Sequence, residues 1–290
     1  MRYSIAFAAA ALASSVSAHG VITQVQGANG VTMPGLSVID GTPRDSGNPL
    51  SGSEADTSII RTKEMGGKAS ALGRTQGGGA VDAASAIATF MGTGGAAAGG
   101  AAANKRGLLD ALTGGAGGAG KAGGAASAAG TKTPKGTSET GVAAAAGQGA
   151  SQGLPTTADD GTITMTFHQV NQDGAGPLTA AIDATSGGTD PAAFQDAKVT
   201  QDVPGIGIGG LSAAAVMDFP VKVQMPQGMT CQGSVGGAQN VCIVRMQNAA
   251  LAGPFGGSAA FTQSTAAKKR AVEYNLRKRH MARGILGKPE

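Results

Sequence analysis

Residues 162–170 read TITMTFHQV, and their alternation decides the fold. Ile163, Met165 and Phe167 point to one side of an extended chain; Thr162, Thr164, Thr166 and His168 point to the other. A strand with period two and one apolar face belongs to a sheet with one side on a core. The pattern recurs downstream. FPVKVQMP (219–226) sets Val221, Val223 and Met225 against Lys222 and Gln224, and NVCIVRMQN (240–248) is a third such strand. Turns rich in Gly, Pro and Asp separate them, as in NQDGAGP (171–177) and VPGIGIGG (203–210). HGVITQVQG (19–27) adds a strand near the N-terminus. Short strands at this spacing predict a mainly β chain, folded as an antiparallel immunoglobulin-like β-sandwich with long loops.

Other stretches frame that domain. VDAASAIATFM (81–91) places Ile87, Phe90 and Met91 on one face of a short helix. From about Gly92 to Gly153 the chain is Ala and Gly with scattered Lys, Thr and Ser. Too few large apolar side chains are present there to offset the entropy of ordering, so residues 92–153 are expected as a flexible insertion. It would divide the sandwich domain into residues 19–91 and 154–265, with residues 266–290 as a basic tail. Within that tail Ala271, Val272 and Leu276 would form one side of a short amphipathic helix, docked on the body or lying on an anionic surface, with a solvated tail as the alternative. GIGIGG (205–210) has the glycines of a phosphate loop, but no strand-to-helix step surrounds it, so it reads as a turn.

Residues 1–18 have the form of a secretory signal peptide. Arg2 supplies the positive start, IAFAAAALA the apolar run, and Val16 and Ala18 the small residues before a cleavage site. That run is short of the roughly 20 residues a membrane span requires. The mature protein is therefore expected to be secreted, extracellular and monomeric, beginning at His19. In an oxidising compartment the two cysteines, Cys231 and Cys242, pair. The formal charge of +4 lies in Arg2 and the last twenty residues, which leaves the body near neutral and excludes a nucleic-acid face. No Ser/His/Asp or paired-carboxylate pattern points to a hydrolase.

The chain has only three histidines: His19, His168 and His280. His280 lies in the basic RKRHMARG and reads as solvated. His168 lies on the threonine face of its strand and is expected to be partly accessible. A mature N-terminus at His19 offers two nitrogens from one residue, the α-amine and Nδ1. With His168 they make a T-shaped three-nitrogen site, a geometry that favours copper(II). The amine proton, with a pKa of ~8, is readily displaced by a metal.

Several motifs together resemble the fungal Egh16-like virulence factors, also called appressorium-specific or MAS-type proteins. They are HGVI (19–22), SALGRTQ (70–76), TMTFHQVNQDGAGP (164–177), TQDVPG (200–205), DFPVKVQMP (218–226), TCQGSVGGAQNVCIVR (230–245), AGPFGG (252–257) and AVEYNLRKR (271–279). The resemblance implies a secreted protein of plant- or insect-infecting fungi, linked to penetration structures and host contact. Many members carry extra cysteines where this chain has Leu178–Ala181 and Ser258, so fewer bridges are expected here. A looser resemblance to lytic polysaccharide monooxygenases carries over to His19 and His168 as copper ligands. It adds Phe255 as an axial neighbour, with Phe261 as the alternative, and Gln247 as a donor behind them. It implies oxidative action on a cell-wall or cuticle polysaccharide. The alternative is a non-catalytic secreted adhesion factor, which the absence of Trp favours, because flat polysaccharides are gripped by exposed aromatics.

Overall fold

A computed structural model describes residues 19–94, 130–205, 212 and 214–286. The expected signal peptide, 1–18, lies outside the described residues. The molecule is mainly β and antiparallel, and TITMTFHQV is a strand as expected: β7, Thr162–Gln169. In chain order the others are β1 (Gly20–Gln26), β2 (Thr32–Pro34), β3 (Ser58–Ile59), β4 (Arg74–Thr75), β5 (Gly79–Ala80) and β6 (Thr131–Lys132). After β7 come β8 (Thr179–Asp183), β9 (Phe194–Gln201), β10 (Met217–Gln224), β11 (Gly233–Val235), β12 (Ala238–Gln247) and β13 (Phe255–Phe261). Eleven of them form one hydrogen-bonded path, β2-β1-β7-β10-β9-β8-β12-β13-β3-β4-β5, with β11 beside β12 and β6 beside β10. The pairing is thus a single curled antiparallel sheet, with β9 joining the β1–β7–β10 half to the β8–β12–β13 half.

The curl encloses the core. Ile163, Met165 and Phe167 on β7 and Val221 and Val223 on β10 are buried with Val244 and Met246 on β12 and Ala259 on β13. β1 joins this face by a bulge. Ile22 lies opposite Phe167 and Val25 opposite Met165, with the register shifting between Ile22 and Gln24. Residues 22 and 25 are three apart, so a regular strand would send them to opposite faces; the extra residue, Thr23, corrects the parity. Closure brings β1 against β13 so tightly that a Cβ at Gly257 would stand 2.7 Å from the Ile22 backbone nitrogen. Only glycine permits that approach.

The short helix forms over α1, Ala83–Met91. Asp82 caps it, its Oδ1 accepting from the Ala84 and Ser85 amides. Ile87 and Phe90 are buried in the core. Cys231 and Cys242 are bridged, as expected. The bond ties the approach to β11 to β12 and adds about 2–3 kcal/mol by closing a short loop.

The expectation of a flexible insertion needs correction. Of the supposed flexible stretch 92–153, residues 95–129 lie outside the described residues, but 130–153 are held to the body. β6 pairs with Met217 and Asp218. Two short helices follow, α2 (Gly141–Ala145) and α3 (Gly149–Gln152). The Val142 and Ala143 amides of α2 donate to the Asp40 carboxylate, and a Cβ at Gly149 would meet the Phe90 ring at 2.7 Å. The segment binds by close backbone approach and backbone hydrogen bonds, which an Ala/Gly composition allows and large side chains would block. The basic tail is a docked helix, α4 (Thr265–Leu286), one of the placements open to it. Its body-facing stripe is Ala267, Ala271 and Asn275, whereas Val272 and Leu276 remain exposed.

Candidate functional site

β7 changes character at its C-terminal end. Thr162, Thr164 and Thr166 on its outer side are half-buried, but His168 is 1% exposed, against the partial accessibility expected of it. A second polar layer lies beside this end of the sheet, where Arg44 and Glu139 line one cavity with Thr166 and Asp218. Arg44, buried, donates from Nη1 to Asp56 at 3.0 Å and from Nε to Glu139 at 3.0 Å. Burial opposes the guanidinium charge, but the two carboxylates outweigh it and raise its pKa above the ordinary value. Arg44 thereby clamps the loop holding Asp56 to the segment holding Glu139, beside Thr166 and Asp218 of the sheet.

The register sets His168 opposite Val21 on β1 and opposite Asp218 on β10. Its Nδ1 lies 2.7 Å from Asp218 Oδ1. That contact fixes the ring and places the lone pair of the neutral imidazole on Nε2. Nε2 is buried and has no hydrogen-bond partner among the described residues. A cavity of about 390 Å³ opens on the other side of Asp218, walled by Gln24, Thr166, Arg44, Glu139 and Gln148.

His19 stands one step before β1, where its carbonyl accepts from the Val170 amide at 3.0 Å. It is 2% exposed. Its backbone nitrogen donates to Asn171 Oδ1 at 2.9 Å, and its Nδ1 lies 3.1 Å from Glu54 Oε1. Asn171 Nδ2 donates to the same Glu54 oxygen at 3.1 Å. The two His19 nitrogens and the two acceptors therefore share one buried corner. Burial raises the Glu54 carboxyl to about 7, with the Asn171 hydrogen bond working against that rise.

The aromatic alternatives separate clearly. Phe255 lies against the His19 ring, with centroids 4.4 Å apart and planes tilted by 35°. Phe261 is at the far end of the same strand, paired with Cys242. Gln247 closes β12 opposite Gly256, half-buried, and its carbonyl accepts from Thr179 Oγ1. The structure thus brings Phe255 to His19 and seats Gln247 beside Phe255's neighbour. No group of three or more His, Cys, Asp or Glu side chains is close enough to hold a metal among the described residues. A metal at the histidines would therefore depend on the amine that processing exposes at His19.

Sequence reasoning missed Glu54, Asn171, Asp218 and the Arg44–Asp56–Glu139 clamp. Asn171 and Asp218 sat in view, three residues after His168 and one before FPVKV. A polar residue opposite a buried histidine was the available signal. Glu54 and Glu139 lie in loop text with no periodicity, and nothing local marks them.

No helix among the described residues is long and apolar enough to cross a membrane. A family model described as Egh16-like virulence factor matches residues 17–256. The chain is 62% identical over 289 residues to appressoria-specific virulence factor GAS2 of Pyricularia oryzae, covering 98% of this chain and 97% of that relative. It is 31% identical over 267 residues to appressoria-specific virulence factor GAS1 of the same fungus, covering 91% and 80%. No solved structure matches the chain.

Proposed function

The chain belongs to the Egh16-like virulence factor family, and on that premise we propose that it is secreted at the fungal infection structure and binds one copper(II) ion through His19 and His168. The observation that carries this reading is the state of His168. Its Nδ1 is anchored by Asp218 while Nε2 is buried without a partner. Metal-ligating histidines have this form, one nitrogen held by a carboxylate and the other presenting its lone pair. An unmatched buried acceptor is unfavourable unless something fills the position. His19 supports the reading because its backbone nitrogen and Nδ1 face one polar corner. After cleavage before His19 that nitrogen is an amine and the pair is a chelate.

When bound, copper supplies one-electron chemistry with oxygen or peroxide, and the substrate class it suits here is a wall or cuticle polysaccharide. In this chain, Asp218 orients the His168 ring, Asn171 holds the His19 backbone nitrogen, and Phe255 closes one side of the His19 ring; Nδ1 would exchange its Glu54 contact for the metal. Gln247 stands behind Phe255 as an outer donor. The polar cavity beside Asp218 offers Gln24, Thr166 and Gln148 to hydroxyl groups.

The test is copper titration by calorimetry on protein that begins at His19. One tight site is expected, lost in His168→Ala and in a form with one extra residue before His19, and kept in His280→Ala. Affinity unchanged by both of the first two changes would sink the copper reading. A second reading, a non-catalytic surface factor, draws on the near-complete burial of both rings, which keeps a rigid polymer from reaching them. It predicts no tight copper site but retention of the protein on isolated wall material.

A further inference from the structure

The C-terminal helix α4 is a different chemical object from the body it rests on. Seven Lys or Arg and one Glu lie within Thr265–Leu286, while residues 19–264 carry thirteen basic and sixteen acidic side chains. The near-neutral body expected from the sequence is thus an anionic body bearing a strongly cationic helix, because Lys268, Lys269 and Arg270 belong to the helix. Among the described residues no cation of the helix is within ion-pair distance of a carboxylate. Arg270 donates to the Asp159 carbonyl and Lys268 reaches Asn240 Oδ1 at 3.5 Å.

The docking stripe is narrow and made of small or polar residues. Ala267 and Ala271 are buried and Asn275 donates to the Gly228 carbonyl at 2.8 Å. The apolar residues that would ordinarily bind a helix to its protein point elsewhere. Val272 is 44% exposed, Leu276 47% and Met281 67%. Val272 and Leu276 are one turn apart, with Lys268, Lys269 and Arg279 three or four residues from one or the other. The helix therefore turns an apolar pair framed by cations to solvent.

We propose that this face of α4 docks the protein on an anionic phospholipid bilayer, lying in the headgroup plane without spanning it. Clusters of four to eight Lys or Arg on an amphipathic helix suit acidic lipid headgroups, and the exposed apolar side chains enter the acyl boundary. The apolar pair decides between lipid and a soluble acidic polysaccharide. A hydrated polyanion uses the cations and has nothing to gain from Val272 and Leu276.

Co-sedimentation of the full mature chain with vesicles tests the inference. Phosphatidylcholine vesicles containing phosphatidylserine should bind it, pure phosphatidylcholine vesicles should not, and raising ionic strength should release it. Lys268→Glu with Lys269→Glu and Arg279→Glu should weaken binding by about a hundredfold or more. Val272→Ser with Leu276→Ser should weaken it by about tenfold. All five positions are exposed, so thermal melting should be unchanged. If the triple variant nonetheless unfolds, the salt titration of the unaltered protein stands in its place. Equal binding to both vesicle types overturns the proposal. So does unchanged vesicle binding in the Val272/Leu276 variant, which assigns the face to polyanions; polygalacturonate competing with vesicles in that variant would identify such a ligand.

Discussion

The two sides of β7 are built on different physics. On the inner side Ile163, Met165 and Phe167 fill volume against the other wall of the curled sheet. On the outer side, at its C-terminal end, His168 is equally buried but beside charges: Asp218 holds the ring, and Arg44 and Glu139 of the clamp line a cavity with Asp218. An apolar layer is stabilised in proportion to the area it hides and is indifferent to protons. A buried polar layer depends on every partner being present and in the right protonation state. Burial alone thus says little about how a layer will respond to perturbation.

The contrast is sharpest for large deletions. Phe167→Ala should cost about 3–5 kcal/mol in urea unfolding, by the same amount at pH 5 and pH 8. A strongly pH-dependent loss would show that the two sides are not independent. Arg44→Met comes next. It leaves Asp56, fully buried, and Glu139 without their cation, so a loss of about 3 kcal/mol is expected. Adding Asp56→Asn and Glu139→Gln should recover part of it. A loss below about 1 kcal/mol would mean that water reaches the clamp and that the layer is not dry.

The pH effect has a definite sign. Glu54 titrates at about 7 in the folded chain against an ordinary 4.5, chiefly through burial. The folded state thus holds the proton more tightly. Its contribution is fully present below pH 4.5 and is lost as pH rises through 7. A decline of about 3 kcal/mol is expected across that window, and Glu54→Gln should flatten it. A decline surviving in the variant would place the titration elsewhere. The smallest effect belongs to the helix: Asn275→Ala removes one hydrogen bond to Gly228 and should cost about 0.5–1.5 kcal/mol. A larger loss would mean that α4 is integral to the body.

What the sequence made legible follows the same division. Period-two alternation marked β7, β10 and β12, and it did so because their inner faces are apolar over the whole strand. The Asp82 cap and the Ile87/Phe90 spacing marked α1. The curl of the sheet was not legible, since it depends on Gly256, Gly257 and the Thr23 bulge, where the signal is a missing side chain or one extra residue. Residues 130–153 were hidden for the same reason, their contacts being made by glycines and backbone amides. At the site, His19, His168 and Phe255 could be singled out because they are rare types beside a cleavage signal or on a strand. Their carboxylate partners come from loops whose position only the folded chain defines.

The order in which strands pair also has a kinetic side. β1 finds β7 only when Gly20 meets Gln169, and β3 finds β13 only when Ile59 meets Phe255. The strands made first must wait for partners made last. Hairpins such as β8–β9 and β12–β13 can form meanwhile, but the long β1–β7 and β3–β13 loops must close before the core is complete, which places the chain among slow folders, in milliseconds to seconds or longer. During that interval the apolar sides of β8, β12 and β13 stand open to other chains. The yield on refolding should therefore fall steeply as protein concentration rises, a cost of the topology that no substitution on the surface would remove.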